Sequence, residues 1–288
     1  MLPYNRCMTS PEKPSSRNIP LPVQREIRQR CGFGCVMCGL PLYEYDHLLG
    51  WENVHRHVAE EITLLCDMHH REKTSGMLPI EKVLEGNKSP YNLRNGVSKP
   101  YDLHYEGKEC EVVIGSNIFR TTDQGYGTVM IPVSIDDVAS IGFVLTEGHL
   151  LLNLNLYDEA NNLVLRIVNN QLYYSASPWD IQFVGRNLIV RDAPHKILVD
   201  IEFEIPNKIV IQRGRFLRNG VEVLIKSEYI LLTNTKALFQ GNEVINCSAG
   251  IVIGPHLRPL SCAIRIPSVN RYLADRSDAI RWAEESFR

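Results

Sequence analysis

The sequence predicts an α+β protein in unequal parts: a small metal-stabilised N-terminal domain, a larger all-β domain and a C-terminal helix. Three observations carry that reading. Cys31, Cys35, Cys38 and Cys66 crowd together early in the chain, and two of these lie between closely spaced glycines. Beyond about residue 108, short strand-like runs recur every ten or so residues with no helical pattern between them. Between the two parts lies NKSPYNLRNGVSKPYDL (87–103), rich in Asn, Ser, Pro and Gly, as a boundary is expected to be.

Composition bounds the function classes. A chain of 288 residues accommodates about two domains, and 44% hydrophobic with 22% charged residues is ordinary for a globular protein. No apolar run approaches the ~20 residues of a bilayer span, and the N-terminus has no signal-peptide core, so a soluble, cytoplasmic protein without membrane contact is expected. A net charge of −2 and a pI of about 6.5 exclude a polybasic coat; any nucleic-acid contact must be local. Eight cysteines are too few and too uneven for a secreted disulfide scaffold of this length, so their clustering points to metal.

The elements follow in order. Residues 1–20, with Pro3, Pro11, Pro14 and Pro20, read as a flexible tail ahead of a domain over 21–90. From Pro22 to Gln29 the pattern is helical: Val23 and Ile27 share one face, Arg25 and Arg28 another. Leu42–Leu49 and Ile62–Leu65 read as a β-hairpin with a long connection. A helix is expected from near Cys66 to Gly76, and another from Pro79 to about Glu85. A linker over 91–107 leads to the all-β domain over 108–266. Strands are expected at Glu111–Ile114, Thr128–Val133, Ile141–Thr146, Leu150–Leu156, Leu163–Val168 and Ile181–Val184. They continue at Leu188–Arg191, Ile197–Phe203, Lys208–Gln212, Val221–Ile225 and Tyr229–Leu232. A sandwich or a barrel accommodates them; a β-solenoid is the alternative, because units such as IVIQRG and IVIGP look alike. The terminal helix is expected over 267–288, with Leu273, Ile280 and Trp282 as apolar positions.

Chemistry concentrates in the N-terminal domain. Cys35-Val-Met-Cys38 is a C-x2-C knuckle, and Cys66-Asp-Met-His69 is a second x2 pair at a strand-to-helix junction. Together they supply the four N/S donors that a tetrahedral structural Zn²⁺ prefers; two chance pairs of inert buried cysteines are the bland reading, and Cys31 could replace Cys35. His69 and His70 point about 100° apart on a helix, so His70 serves a different site. Asp46-His47 ends the first hairpin strand, where a carboxylate and two imidazoles could hold a divalent cation and activate water. Alternatively, Asp46 and His70 are surface residues and His47 packs beneath the hairpin.

These residues carry a family resemblance. Cys35-x2-Cys38, Tyr45-Asp46-His47 and Ile62-Thr-Leu-Leu-Cys66-Asp-Met-His69-His70-Arg-Glu-Lys73 resemble the HNH endonuclease motif in its zinc-bound, treble-clef ββα form, over about residues 22–85. The resemblance implies His47 as the general base, with Asp46 and His70 holding a catalytic Mg²⁺ or Mn²⁺. It implies structural Zn²⁺ on Cys35, Cys38, Cys66 and His69, and DNA as the substrate. Two positions depart from the pattern: the fourth zinc ligand is His rather than Cys, and Glu61 stands where the middle Asn is expected. A carboxylate accepts hydrogen bonds but cannot donate them as that Asn does.

Arg25, Arg28 and Arg30 on the first helix, with Arg71 and Lys73 beside His70, are candidate phosphate contacts; a solvated helix face balanced by Glu26 and Glu72 is the alternative. His55 and His57 lie in the hairpin loop near the expected groove. In the β part, His104, His149, His195 and His256 are isolated, and Cys110, Cys247 and Cys262 read as small buried apolar residues. Trp179-Asp180 heads a strand and reads as core. The β domain is expected to supply target or partner recognition, or a homo-oligomer contact.

Overall fold

The computed structural model describes residues 17–125, 127–256, 261–271 and 285, and these are mostly β: 47% strand against 16% helix. The N-terminal unit opens with α1 (Leu21–Cys31), whose Ile27 and Cys31 are buried. Strands β1 (Glu44–His47) and β2 (Ile62–Leu65) pair antiparallel, with Asp46 opposite Thr63 and His47 opposite Ile62. Their long connection contains a short helix α2 (Trp51–Val54) that the sequence pattern does not announce. Then come α3 (Asp67–Thr74) and α4 (Ile80–Lys88), close to the expected bounds. A small apolar cluster holds the unit together, built from Ile27, Val36, Ile62, Leu64, Leu65 and Val83.

The expected linker is instead a docked segment. It forms α5 (Tyr91–Asn95) and the short strand β3 (Tyr101–Asp102). Asn92 is fully buried, with its Nδ2 donating to Gly32 O at 2.8 Å. Gly39 sits at a φ of 76°, and a Cβ there would collide with Asn92 and Tyr91; a Cβ at Gly34 would lie 2.6 Å from Asn92 Nδ2. The glycines beside the cysteines therefore serve two ends: they bend the knuckle and they leave room for this plug. Polar composition signalled a break in regular structure; what it could not signal is that the segment packs.

The β body has two sheets. The first runs β20 (Cys262–Ile266), β19 (Ala249–Ile253), β6 (Thr128–Ile135), β7 (Val138–Thr146), β8 (His149–Tyr157), β9 (Leu163–Val168), β10 (Gln171–Tyr174), β3. The second runs β11 (Asp180–Val184), β12 (Asn187–Ala193), β13 (Lys196–Glu204), β14 (Lys208–Arg218), β15 (Val221–Lys226), β16 (Tyr229–Leu232), β17 (Ala237–Phe239). Strands β4 (Glu109–Ile114), β5 (Asn117–Thr122) and β18 (Glu243–Ile245) join it beside β14. The long β14 pairs with β4 along Lys208–Ile211 and with β15 along Gly214–Arg218.

Alternation explains the layering. In β8 the residues Leu150, Leu152, Leu154 and Leu156 are all buried, while their neighbours are not. Apolar faces of both sheets share one core that includes Phe143, Leu152, Ile201, Ile211 and Phe216. The arrangement is sandwich-like. Among the described residues neither sheet closes into a barrel, and neighbouring strands are mainly antiparallel, which rules out the stacked coil of a solenoid. Residues 267–271 are irregular, and the rest of the expected terminal helix, with Leu273, Ile280 and Trp282, lies outside the described residues. Cys110 is buried as expected, but Cys247 and Cys262 are only half-buried.

The two parts are joined through a polar interface with an apolar peg. Phe33 leaves the N-terminal unit to enter the β core, and its carbonyl accepts the Tyr174 hydroxyl at 2.5 Å. Arg28, 3% exposed, gives two hydrogen bonds of 2.8 Å to the fully buried Asp180 at the head of β11. Its third arm donates to the Tyr45 hydroxyl at 2.7 Å. Burial opposes the charge on Arg28, but the bonds to Asp180 outweigh it and raise the guanidinium pKa above its ordinary value.

Candidate functional site

Cys35, Cys38, Cys66 and His69 meet at one point, with their ligand atoms all within 4.8 Å of one another. Local folding dictates the convergence. Cys35 N donates to Leu40 O and Gly39 N to Cys35 O, closing the knuckle, while Val36 N bonds to Leu64 O and fixes it beside β2. Cys66 follows that strand and occupies the N-cap of α3, so His69 projects back over it from the first turn. Cys38 Sγ lies 3.8 Å from Cys66 Sγ, and His69 Nδ1 lies 3.4 Å from Cys35 Sγ and 3.1 Å from Cys66 Sγ. Zn–S bonds of about 2.3 Å at tetrahedral angles place two sulfurs about 3.8 Å apart. The donor set and spacing fit a metal ion such as Zn²⁺. Cys31 is no part of it: its Sγ faces Thr63 and Asn87, each at 3.9 Å.

A second constellation lies on the other side of α3. The pleat of β1 sends Glu44 and Asp46 to one face, and α3 lays His70 and Lys73 against them, one turn apart. His70 Nε2 is 3.3 Å from Asp46 Oδ1, and its Nδ1 is 3.0 Å from Glu44 Oε2. Lys73 Nζ donates to Asp46 Oδ2 at 2.5 Å and to His47 O at 2.9 Å. Asp46, His70 and Lys73 border an open groove of about 640 Å³, lined also by Arg17, Tyr45, His47, Trp51 and Glu52.

His47 reaches that groove from the strand end, and its ring leans on Trp51 (centroids 5.1 Å apart) and His57 (5.4 Å). Trp51 and His57 stack at 4.8 Å, and His55 meets Trp51 edge-on. Burial first, and the neighbouring His57 second, lower the His47 pKa below its ordinary value, which favours the neutral imidazole. Its Nε2 is covered and has no hydrogen-bond partner among the described residues. Glu61, at the departing position, is tied across the loop by Arg56, whose Nε donates to Oε2 at 2.8 Å. That bond holds the Glu61 carboxyl below its usual range, and an ion pair thus closes the loop where the motif would use an amide.

Among the arginines of α1, Arg28 needs correction as a phosphate contact. Arg28 is enclosed by Asp180 and Tyr45, out of a phosphate's reach. Arg25 lies over the Trp179 ring at 4.5 Å and 3.5 Å from Asp180, and Arg30 bonds Asn87 and the carbonyl of Ala59. An isolated helix shows a charged face; the Asp180 shared by Arg25 and Arg28 comes from the distant β body, whereas Arg30 is held within the N-terminal unit. Arg71 remains exposed on α3. Sequence did not single out Glu44, although it is the i−2 strand neighbour of Asp46 and pairs with His70. Nor did it single out Arg17, Trp51 or Glu52 in the groove, which carry no local signal.

Among the described residues, the Cys/His set is the one group of three or more His, Cys, Asp or Glu poised to hold a metal. No described helix is long and apolar enough to cross a membrane. Comparison with known proteins returns no matching family model, no matching curated protein and no matching solved structure.

Proposed function

We propose that the N-terminal unit is a zinc-stabilised HNH-type endonuclease that hydrolyses DNA phosphodiester bonds, with the β body choosing target or partner. The supporting observation is that Asp46, His47 and His70 border one groove on a strand–strand–helix frame, whose base is the Cys/His metal set. Zinc has a structural task in this reading, tying the knuckle to the start of α3.

The Asp46–His70 pair also suits a divalent ion in part. Its donor atoms are 3.3 Å apart, close to the roughly 3.0 Å between adjacent ligands of an octahedral ion at about 2.1 Å. One carboxylate and one imidazole match Mn²⁺ better than Mg²⁺. An ion held there would supply positive charge to the scissile phosphate and the leaving oxygen. The protein's own contribution is proton transfer and orientation. Neutral His47 accepts a proton from water, and the Arg56 backbone fixes its ring through a hydrogen bond. For Nε2 to act, its cover must open as the substrate enters.

Nicking of supercoiled plasmid by the zinc-loaded full chain with Mg²⁺ or Mn²⁺ tests this. His47→Ala is expected to lose about 10²-fold or more in rate with its zinc content intact. Cleavage by His47→Ala at the wild-type rate would discard the base assignment, and an inert wild type would discard the activity. The second reading is a catalytically silent zinc module serving the β body; the covered Nε2 of His47 favours it.

A further inference from the structure

We infer that the Lys73 ammonium is the resident counter-ion of Asp46 and competes with a divalent cation for that carboxylate. The inference rests on the metal-assisted reading above and adds a control that the reading does not contain. Both oxygens of Asp46 are engaged: Oδ2 by Lys73 Nζ at 2.5 Å and Oδ1 by His70 Nε2 at 3.3 Å. The pair is not a loose surface contact, since the Lys73 side chain is 13% exposed and that of Asp46 8%. A second bond from Nζ to His47 O at 2.9 Å holds the ammonium in place.

A cation bridging Asp46 Oδ1 and His70 Nε2 would share one carboxylate with that ammonium. Two like charges on one partly desolvated carboxylate repel, so the ammonium must leave for the ion to bind well. It has the means: a flexible four-carbon stem, rooted on α3 beside an open groove. A phosphate entering the groove offers it a new partner. Cation and phosphate would then bind cooperatively, each favouring the arrangement the other needs, and linkage makes the effect reciprocal. Glu44 sits on the far nitrogen of His70 and does not take over from Asp46.

The test is Mn²⁺ binding to the zinc-loaded full chain without substrate, read from the electron paramagnetic resonance signal of free Mn²⁺. Lys73→Met and Lys73→Gln are expected to bind Mn²⁺ about tenfold tighter or more, Lys73→Arg to resemble wild type, and Asp46→Asn to lose binding. One zinc per chain in each variant verifies folding. Equal or weaker Mn²⁺ affinity in Lys73→Met and Lys73→Gln, with Asp46→Asn still abolishing it, refutes the competition and leaves the metal reading standing. Mn²⁺ binding that is indifferent to Asp46→Asn removes both.

Discussion

The N-terminal unit and the β body solve the same problem, burying enough surface to stay folded, in opposite ways. The β body spreads one apolar core across two sheets, with fully buried leucines at alternate positions of β8. The N-terminal unit has a cluster of about a dozen buried residues, several of them cysteines, and adds polar devices: a metal set, a docked asparagine and a buried ion pair. Small units lack the interior volume to be stabilised by apolar burial alone. The difference teaches where to look for chemistry. The side chains proposed to bind ions or move protons gather in the part whose fold already uses polar groups.

The sharpest way to break this contrast is Cys66→Ala. If metal holds the small unit, its loss should unfold residues 21–95 while the β body stays intact, since structural zinc contributes on the order of 10 kcal/mol. Amide resonances resolved by region would show it; a single concerted loss across the chain would mean that the two parts are one cooperative unit. Next is Asp180→Ala, which leaves Arg28 buried without its counter-charge. Stability should fall by about 3–5 kcal/mol in denaturant titration, the cost of an orphaned buried charge. A change near zero would show that water enters the interface and replaces the carboxylate. Smallest is Arg56→Ala. The Arg56–Glu61 pair lies in solvent, so the unfolding midpoint should stay put while amide exchange over residues 48–61 quickens. Unchanged exchange would strip the pair of its loop-closing role.

Legibility from sequence followed the range of the interactions. The Cys35, Cys38, Cys66 and His69 set was legible because its spacing is local, and β8 was legible because alternation is local. The helices α1, α3 and α4 appeared within a few residues of their expected bounds for the same reason. What failed were elements whose character comes from afar. Strands β5, β10, β17 and β18 are short or carry Asn, Arg and Gln, and they exist because a neighbour offers an edge. Arg28 read as a phosphate contact because its partner, Asp180, lies 152 residues away. Nothing near Lys73 in sequence reveals that it rests on Asp46, which needs β1 and α3 to be side by side.

Asn92, wedged among the glycines of the cysteine loop, bears on how the molecule could be divided or recombined. A cut at residue 90, where composition invites one, would pull a stopper from the floor of the knuckle and expose the backbone it seals. Lys99 N also bonds to Gly39 O, so the stopper is secured from beyond as well as within. The smallest piece that could be grafted onto another protein with its knuckle whole therefore runs to about residue 99. A shuffling event that respected only the apparent seam would deliver a damaged part.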